Sequence, residues 1–111
     1  ESPVHSNWKN AILSAQETDT VFLNRFGPGP ALRALRTTHT SDLEKNPGEN
    51  IMMEFSRALD LYFGGDMEAS IALSGQVAGR IHEVKPVAQI IAETIAEFGE
   101  TIAAMVRKYP R

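Results

Sequence analysis

The chain has 111 residues, with 11 basic and 14 acidic side chains and a net charge of -3. This length fits one structural unit, and a hydrophobic content of 42% is ordinary for a globular protein. The acidic balance argues against nucleic-acid binding through net positive charge. The absence of cysteine excludes disulfides, cysteine zinc ligands and a cysteine nucleophile within this chain.

Membrane insertion is not expected, because no apolar run approaches the ~20 residues of a membrane-spanning helix. A cysteine-free chain is compatible with a reducing environment, so we expect a cytoplasmic location. The chain begins Glu1-Ser2-Pro3 rather than with methionine, and we expect it to be part of a longer protein.

Residues 1–30 predict a helix, an extended segment and a break. Ser6 is a favourable N-cap, and apolar residues follow it at helical spacing as far as Ala15. Residues 18–26 are rich in β-branched and aromatic side chains, which predicts an extended segment without a partner strand in this chain. The Gly27-Pro28-Gly29-Pro30 sequence then breaks the chain.

The middle of the chain predicts three short helices and one loop. Residues 30–36 predict a helix with Pro30 at its first position, and the polar residues 37–50 predict a loop. Asn50 is expected to cap a second helix, which ends at Gly64-Gly65. Asp66 is expected to cap a third helix that ends near Leu73.

A small-residue loop and a long helix complete the predicted elements. The loop covers residues 74–79, and the helix covers residues 86–108. The helix carries an apolar stripe spaced by three and four residues, formed by Val87, Ile91, Ile95, Phe98, Ile102 and Met105. The elements together predict a mainly α fold.

No catalytic or metal-binding constellation stands out. The three histidines lack metal-ligand spacing, so we predict no metal site and no catalytic residue in this chain. Gly75, Gln76 and Gly79 are the candidate site residues. The glycines let the backbone approach a ligand closely, and Gln76 supplies an amide. The same small residues are equally suited to packing at a helix corner.

Five pieces of the sequence occur in a characteristic order. They are Glu1-Ser2 with His5 and Trp8-Lys9, then Asp19-Thr20, Ala31 to Arg36, Gly65-Asp66, and Ser74 to Ile81. In this order they resemble the C-terminal region of flavin-dependent nitronate monooxygenases, also called 2-nitropropane dioxygenases. The related flavin-type enoyl-acyl-carrier-protein reductases share this region. The resemblance covers nearly the whole chain, and it departs at Ser74, where alanine is usual, and at Arg80, where leucine is common.

The resemblance implies an FMN-binding TIM barrel with this chain as its helical C-terminal region. Residues 1–26 would follow the last barrel strand, residues 27–80 would form a helical region with the Gly-Gln loop, and residues 81–111 would hold the C-terminal helix. FMN would be bound mainly by the upstream barrel, with Gly75, Gln76 and Gly79 contributing from this chain. His5 is expected to anchor its segment near the C-terminal face of the barrel and is not expected to be catalytic.

The resemblance also implies the activity and the partners. The first expectation is a nitronate monooxygenase that oxidises alkyl nitronates with dioxygen, and the alternative is a flavin-type enoyl-acyl-carrier-protein reductase. The expected partners are a small-molecule substrate, the barrel portion of the same chain and a second copy in a homodimer. A third reading is a non-enzymatic helical module that binds a partner through the apolar stripe. These 111 residues alone are expected to be inactive.

Overall fold

The computed structural model describes residues 1–48 and 50–110. About half of the chain is helical, and it contains one small antiparallel sheet, so the expectation of a mainly α fold is confirmed in part. The elements are α1 (Ser6–Ser14), β1 (Thr20–Leu23), β2 (Leu32–Leu35), α2 (Thr38–Lys45), a 3-10 helix (Ile51–Arg57) that continues into α3 (Ala58–Tyr62), a 3-10 turn (Ala78–Arg80) and α4 (Val87–Lys108). Glu49, in the predicted 37–50 loop, and Arg111, in the predicted C-terminal segment, lie outside the described residues.

β1 and β2 form a hairpin that corrects two predictions. β1 pairs antiparallel with β2, with Val21 opposite Ala34 and Phe22 opposite Arg33. Residues 30–36 are therefore a strand and not a helix, and the extended segment 18–26 does have a partner. Burial decided the outcome, because Val21 and Ala34 are almost fully enclosed and the antiparallel ladder satisfies their backbone groups.

A third extended stretch follows the other edge of β2. The Leu35 N–H donates to the Ala72 carbonyl at 2.9 Å, and the Ser74 N–H donates to the Arg33 carbonyl at 3.1 Å. The predicted helix that ends near Leu73 is therefore wrong. The Asp66 carboxylate does accept the Glu68 N–H, at 3.1 Å, but this bond closes a turn. Pairing with β2 then outweighs the local helical signal.

α2 lies where a polar loop was predicted. Its start is fixed by a reciprocal capping box, in which the Thr40 N–H donates to Thr37 Oγ1 at 3.1 Å and the Thr37 N–H donates to Thr40 Oγ1 at 2.8 Å. The usual signature has glutamate or glutamine at the third helical position, and here threonine takes that role. The polar composition and the unusual capping residue hid this helix.

The Thr40 hydroxyl also joins α2 to the sheet, which leads to a stability prediction. Thr40 is fully buried, and its Oγ1 donates to the Leu35 carbonyl at 2.8 Å. Thr40→Val keeps the shape of the side chain but leaves the Thr37 N–H and the Leu35 carbonyl without this partner. We expect the free energy of unfolding of the full-length protein to fall by about 1–3 kcal/mol. Denaturant unfolding measures the loss, and exposed Thr38→Val should change it by less than about 0.5 kcal/mol.

Several predicted ends of helices agree with the structure. The Asn50 side chain caps the next helical segment by accepting the Met52 N–H at 3.0 Å. Gly65 follows α3 with a φ of 78°, a conformation that favours glycine. The cap of α1 is off by one residue, because His5 rather than Ser6 is the N-cap and its Nδ1 accepts the Asn7 N–H at 3.1 Å.

The core consists of two clusters of buried apolar side chains that meet along β2. One cluster joins α1 and α3, and the other lies beneath the hairpin. The first contains Ile12, Ala15, Leu35, Leu61, Ala72 and Ala78, and the second contains Val21, Leu23, Ala34, Ile51 and Ile71. Both clusters lie within residues 12–78, so the core leaves out α4.

The long helix predicted over residues 86–108 is confirmed as α4, whose apolar stripe is uncovered. None of its 22 described residues is buried. The chain exposes 7968 Å² of accessible surface, roughly 2,000 Å² more than the ~6,000 Å² expected of a folded monomer of this mass. Within residues 1–48 and 50–110, the helices are too short or too polar to cross a bilayer.

Candidate functional site at the Gly75 loop

The loop of residues 74–79 packs against the core on one side and is exposed on the other. It leaves the sheet after Ser74 and enters the 3-10 turn Ala78–Arg80. Ala78 is buried in the cluster beside α1, and its N–H donates to the Gly75 carbonyl at 3.2 Å. Gly75 and Gln76 are exposed, so the anchored turn presents both residues outward.

Gly75 lines a mostly apolar cavity of about 430 Å³. The cavity lies between α1, the end of the third extended stretch, the linker 81–86 and the first turn of α4. A space of this size falls in the range of small-molecule sites. Its walls include apolar side chains and the two lysines Lys9 and Lys85, and the main apolar residues are Trp8, Ile12, Leu73, Ile81, Val84 and Ile90.

The two candidate glycines have different surroundings. A Cβ added to Gly75 would meet only the Val77 Cγ2 atom, at 4.0 Å. A Cβ added to Gly79 would lie 2.5 Å from backbone atoms of Gln16 and Glu17, just after α1. Gly79 is therefore required for close packing, whereas the space in front of Gly75 is open. Ligand contact by Gly75, Gln76 and Gly79 stays a prediction.

An ion-pair clamp holds the linker against α4. Lys85 Nζ lies 2.8 Å from Glu83 Oε1 and 2.6 Å from Glu93 Oε2. The hydrogen bond to Glu83, followed by the bond to Glu93, raises the pKa of Lys85 above its usual range. The hydrogen bond from Lys85, followed by the bond from Gln89, lowers the pKa of Glu93. Both groups are thus charged at neutral pH, and the clamp persists there.

The start of the chain meets the start of α4. The Val87 N–H donates to Glu1 Oε2 at 2.9 Å, which places a carboxylate at the positive end of the helix dipole. Glu1 also lines the cavity, so the first residue and the last helix share one site. The pattern of residues did not predict this meeting, because Glu1 and Val87 are 86 positions apart.

His5 makes structural contacts within this chain, and its expected anchoring near the barrel stays a prediction. Its N–H donates to the Tyr62 carbonyl at 2.7 Å, and its ring occupies the space that a Gly65 side chain would need. His5 thus fixes α1 against the end of α3.

Lys85 was not among the residues predicted from the sequence. The only signal near it was an alternation of charged residues, and such a pattern does not reveal that a linker residue contacts a helix.

Comparison with known proteins gives matches to solved structures. No family model matches the chain, and no curated protein matches it. The structure of FabK from Thermotoga maritima matches 96% of the chain at 32% sequence identity with a TM-score of 0.80. In sequence and fold, this chain is similar to part of FabK. A mutant of the same FabK matches 97% of the chain at 30% identity with a TM-score of 0.80.

The likeness to FabK covers nearly all of this chain but only part of FabK. The chain spans about a third of the length of the two FabK structures, 35% of one and 33% of the other. Because 96% of the chain aligns, the similarity includes both the Gly75 loop and most of α4. An identity of 32% with a TM-score of 0.80 supports a shared fold and a common ancestry for this region.

Proposed function

We propose that this chain is the C-terminal third of an FMN-dependent oxidoreductase of the flavin-type enoyl-acyl-carrier-protein reductase class. The observation that carries the proposal is the 32% identity to FabK, an enoyl-acyl-carrier-protein reductase, over 96% of the chain. The sequence motifs alone ranked a nitronate monooxygenase first. The likeness to FabK reverses that order, and a nitronate monooxygenase becomes the alternative.

FMN suits the open side of the Gly75 loop. When bound, FMN would supply the hydride-transfer chemistry, and the protein would position it and the substrate. The space in front of Gly75 allows close approach to its backbone. The exposed amide of Gln76 offers one hydrogen-bond acceptor and two donors to a polar edge. The proposal assigns these two residues to an edge of the flavin or substrate and assigns phosphate binding to upstream residues.

The uncovered apolar stripe of α4 supports the proposal that this chain is part of a larger protein. Side chains such as Ile95 and Phe98 are about two-thirds exposed, although helices with such stripes normally pack against a core. FabK is about three times as long as this chain, so a comparable protein has ample residues to cover the stripe. We assign this cover to the upstream barrel portion of the same chain. A free interaction module would explain the stripe but not the identity to FabK across the other elements.

Assays on the full-length protein separate the two enzyme activities. We expect oxidation of NADH or NADPH that depends on an enoyl thioester, with the saturated thioester as product. Oxygen uptake that depends on an alkyl nitronate, with no thioester reduction, would contradict the proposal in favour of a nitronate monooxygenase. A protein without flavin and without either activity would favour the interaction-module reading.

Gln76→Ala is expected to weaken ligand affinity without unfolding the full-length protein. Removing one hydrogen bond of ordinary strength should raise the Kd of FMN or the KM of the substrate about 2- to 10-fold. Fluorescence titration with FMN and steady-state kinetics measure the two quantities. Gln16→Ala, at another exposed glutamine, is the matched control. Unchanged flavin affinity together with unchanged turnover would show that Gln76 does not contact the ligand.

A further inference from the structure

The hairpin concentrates positive charge in an otherwise acidic chain. Residues 20–41 contain three arginines and no acidic residue. Arg36 is neutralised by Glu44, at 3.2 Å. Arg25 and Arg33 differ, because among the described residues no carboxylate oxygen lies within 4.0 Å of either guanidinium. Within the described residues neither arginine is ion-paired, and Arg33 Nη1 donates to Thr20 Oγ1 at 3.0 Å.

Each of these two arginines lies against an exposed phenylalanine. The Arg25 guanidinium carbon is 5.4 Å from the ring centre of Phe26, and that of Arg33 is 5.1 Å from the ring centre of Phe22. Phe26 is 94% exposed, an unusual state for a large apolar side chain. Arginine and aromatic residues are the types enriched at the centres of protein interfaces.

The turn that carries these side chains is held rigid. Asn24 has a φ of 56°, and its side-chain amide donates to the carbonyls of Pro28 and Pro30 at 2.9 and 3.0 Å. Gly29 has a φ of 92°, and the two prolines restrict the backbone further. A preorganised turn loses little conformational entropy when it binds a partner. The rigid tip is therefore suited to docking.

A groove beside the turn of the hairpin could bind a side chain of a partner. It has a volume of about 360 Å³ and lies between the tip and residues 43–48. Phe22, Arg25 and Phe26 form one side, and Leu43 and Glu44 lie on the other. Among the described residues that line the groove, Arg25 and Glu44 are the charged ones, and Glu44 is paired with Arg36. An apolar side chain flanked by acidic residues would fit it.

We propose that the arginine–phenylalanine tip, defined as residues 22–26 with Arg33, docks an acidic protein surface, and that its occupant is the carrier protein that delivers the enoyl thioester. This inference rests on the proposed function. Charge complementarity selects an acidic partner. A carrier that binds and leaves returns the two arginines to water between encounters, and its acidic side chains would compensate their charge while it is bound.

The test compares two thioesters of the same enoyl group on the full-length enzyme. One is carried by acyl carrier protein, and the other is the small N-acetylcysteamine thioester, which has no protein surface. For Arg25→Ala combined with Arg33→Ala, and for Phe26→Ala, we expect kcat/KM to fall at least 10-fold with the carrier-linked substrate, mainly through KM. Activity with the small thioester should change by less than twofold. The double variant should also lose most of its salt dependence.

The outcomes separate this inference from the proposed function. Arg107→Ala, near the end of α4, is the control for simple loss of a positive charge and should behave as wild type. Equal losses with both thioesters, or a lower Tm and flavin content, would mean that the tip packs within the enzyme and would overturn the inference. Unchanged kinetics with both substrates would also overturn it. A wild-type enzyme that reduces neither thioester overturns the proposed function, and the inference falls with it.

Discussion

Phe98→Ala is expected to lower the free energy of unfolding of the full-length protein by about 3–5 kcal/mol, the range for truncating a buried phenylalanine. In residues 1–110 the Phe98 side chain is 67% exposed, and truncating it there would cost little. The large effect follows only if the upstream portion covers the apolar stripe of α4. Denaturant unfolding of the full-length protein measures it.

Glu100→Ala is the matched control for this prediction, because Glu100 lies on the opposite, polar face of α4. We expect a change within about 0.5 kcal/mol. If Phe98→Ala were as neutral as Glu100→Ala, the stripe would be exposed in the whole protein. The cover assigned to the barrel portion would then be wrong.

Gly79→Ala is expected to destabilise the full-length protein by about 3 kcal/mol, while Gly75→Ala leaves stability nearly unchanged. The added methyl group at Gly79 would lie 2.5 Å from backbone atoms of Gln16 and Glu17, which move only if the end of α1 moves. The methyl group at Gly75 would enter open space. Thermal unfolding of the two variants gives the comparison.

Gly75→Ala also tests whether Gly75 contacts a ligand. If the Gly75 backbone approaches FMN or substrate, the methyl group should raise the Kd of FMN or the KM of the substrate while Tm stays the same. A stable Gly75→Ala protein with wild-type affinity and turnover would leave the loop without a ligand role. A fully stable Gly79→Ala protein would contradict the packing described for the 3-10 turn.

Local patterns were sufficient for the elements whose signals are local. α4 was predicted from its apolar stripe, and the helical segment after Asn50 from its cap and the glycines that end it. β2 was missed because its structure depends on two neighbours, β1 and residues 72–74, and its own residues favour a helix. α2 was missed because its capping box uses Thr40 in place of an acid or amide.

The candidate site was likewise predictable from the sequence only in part. Small residues at 75–79 drew attention to the right loop, since such residues allow close approach of a ligand or of backbone. The sequence did not reveal that Gly79 meets Gln16 and Glu17, because those residues lie 63 and 62 positions earlier and only the folded chain brings them together. Gly75 and Gly79 were therefore equivalent in sequence and are distinct in the structure.

We propose that these residues belong to a flavoenzyme, and the visible absorption spectrum of the full-length native protein is the decisive measurement. We expect a yellow protein about three times as long as this chain, with flavin absorption bands and FMN released on denaturation. The intact mass measured on the same sample fixes the length. A colourless protein that neither contains nor binds FMN would contradict the account.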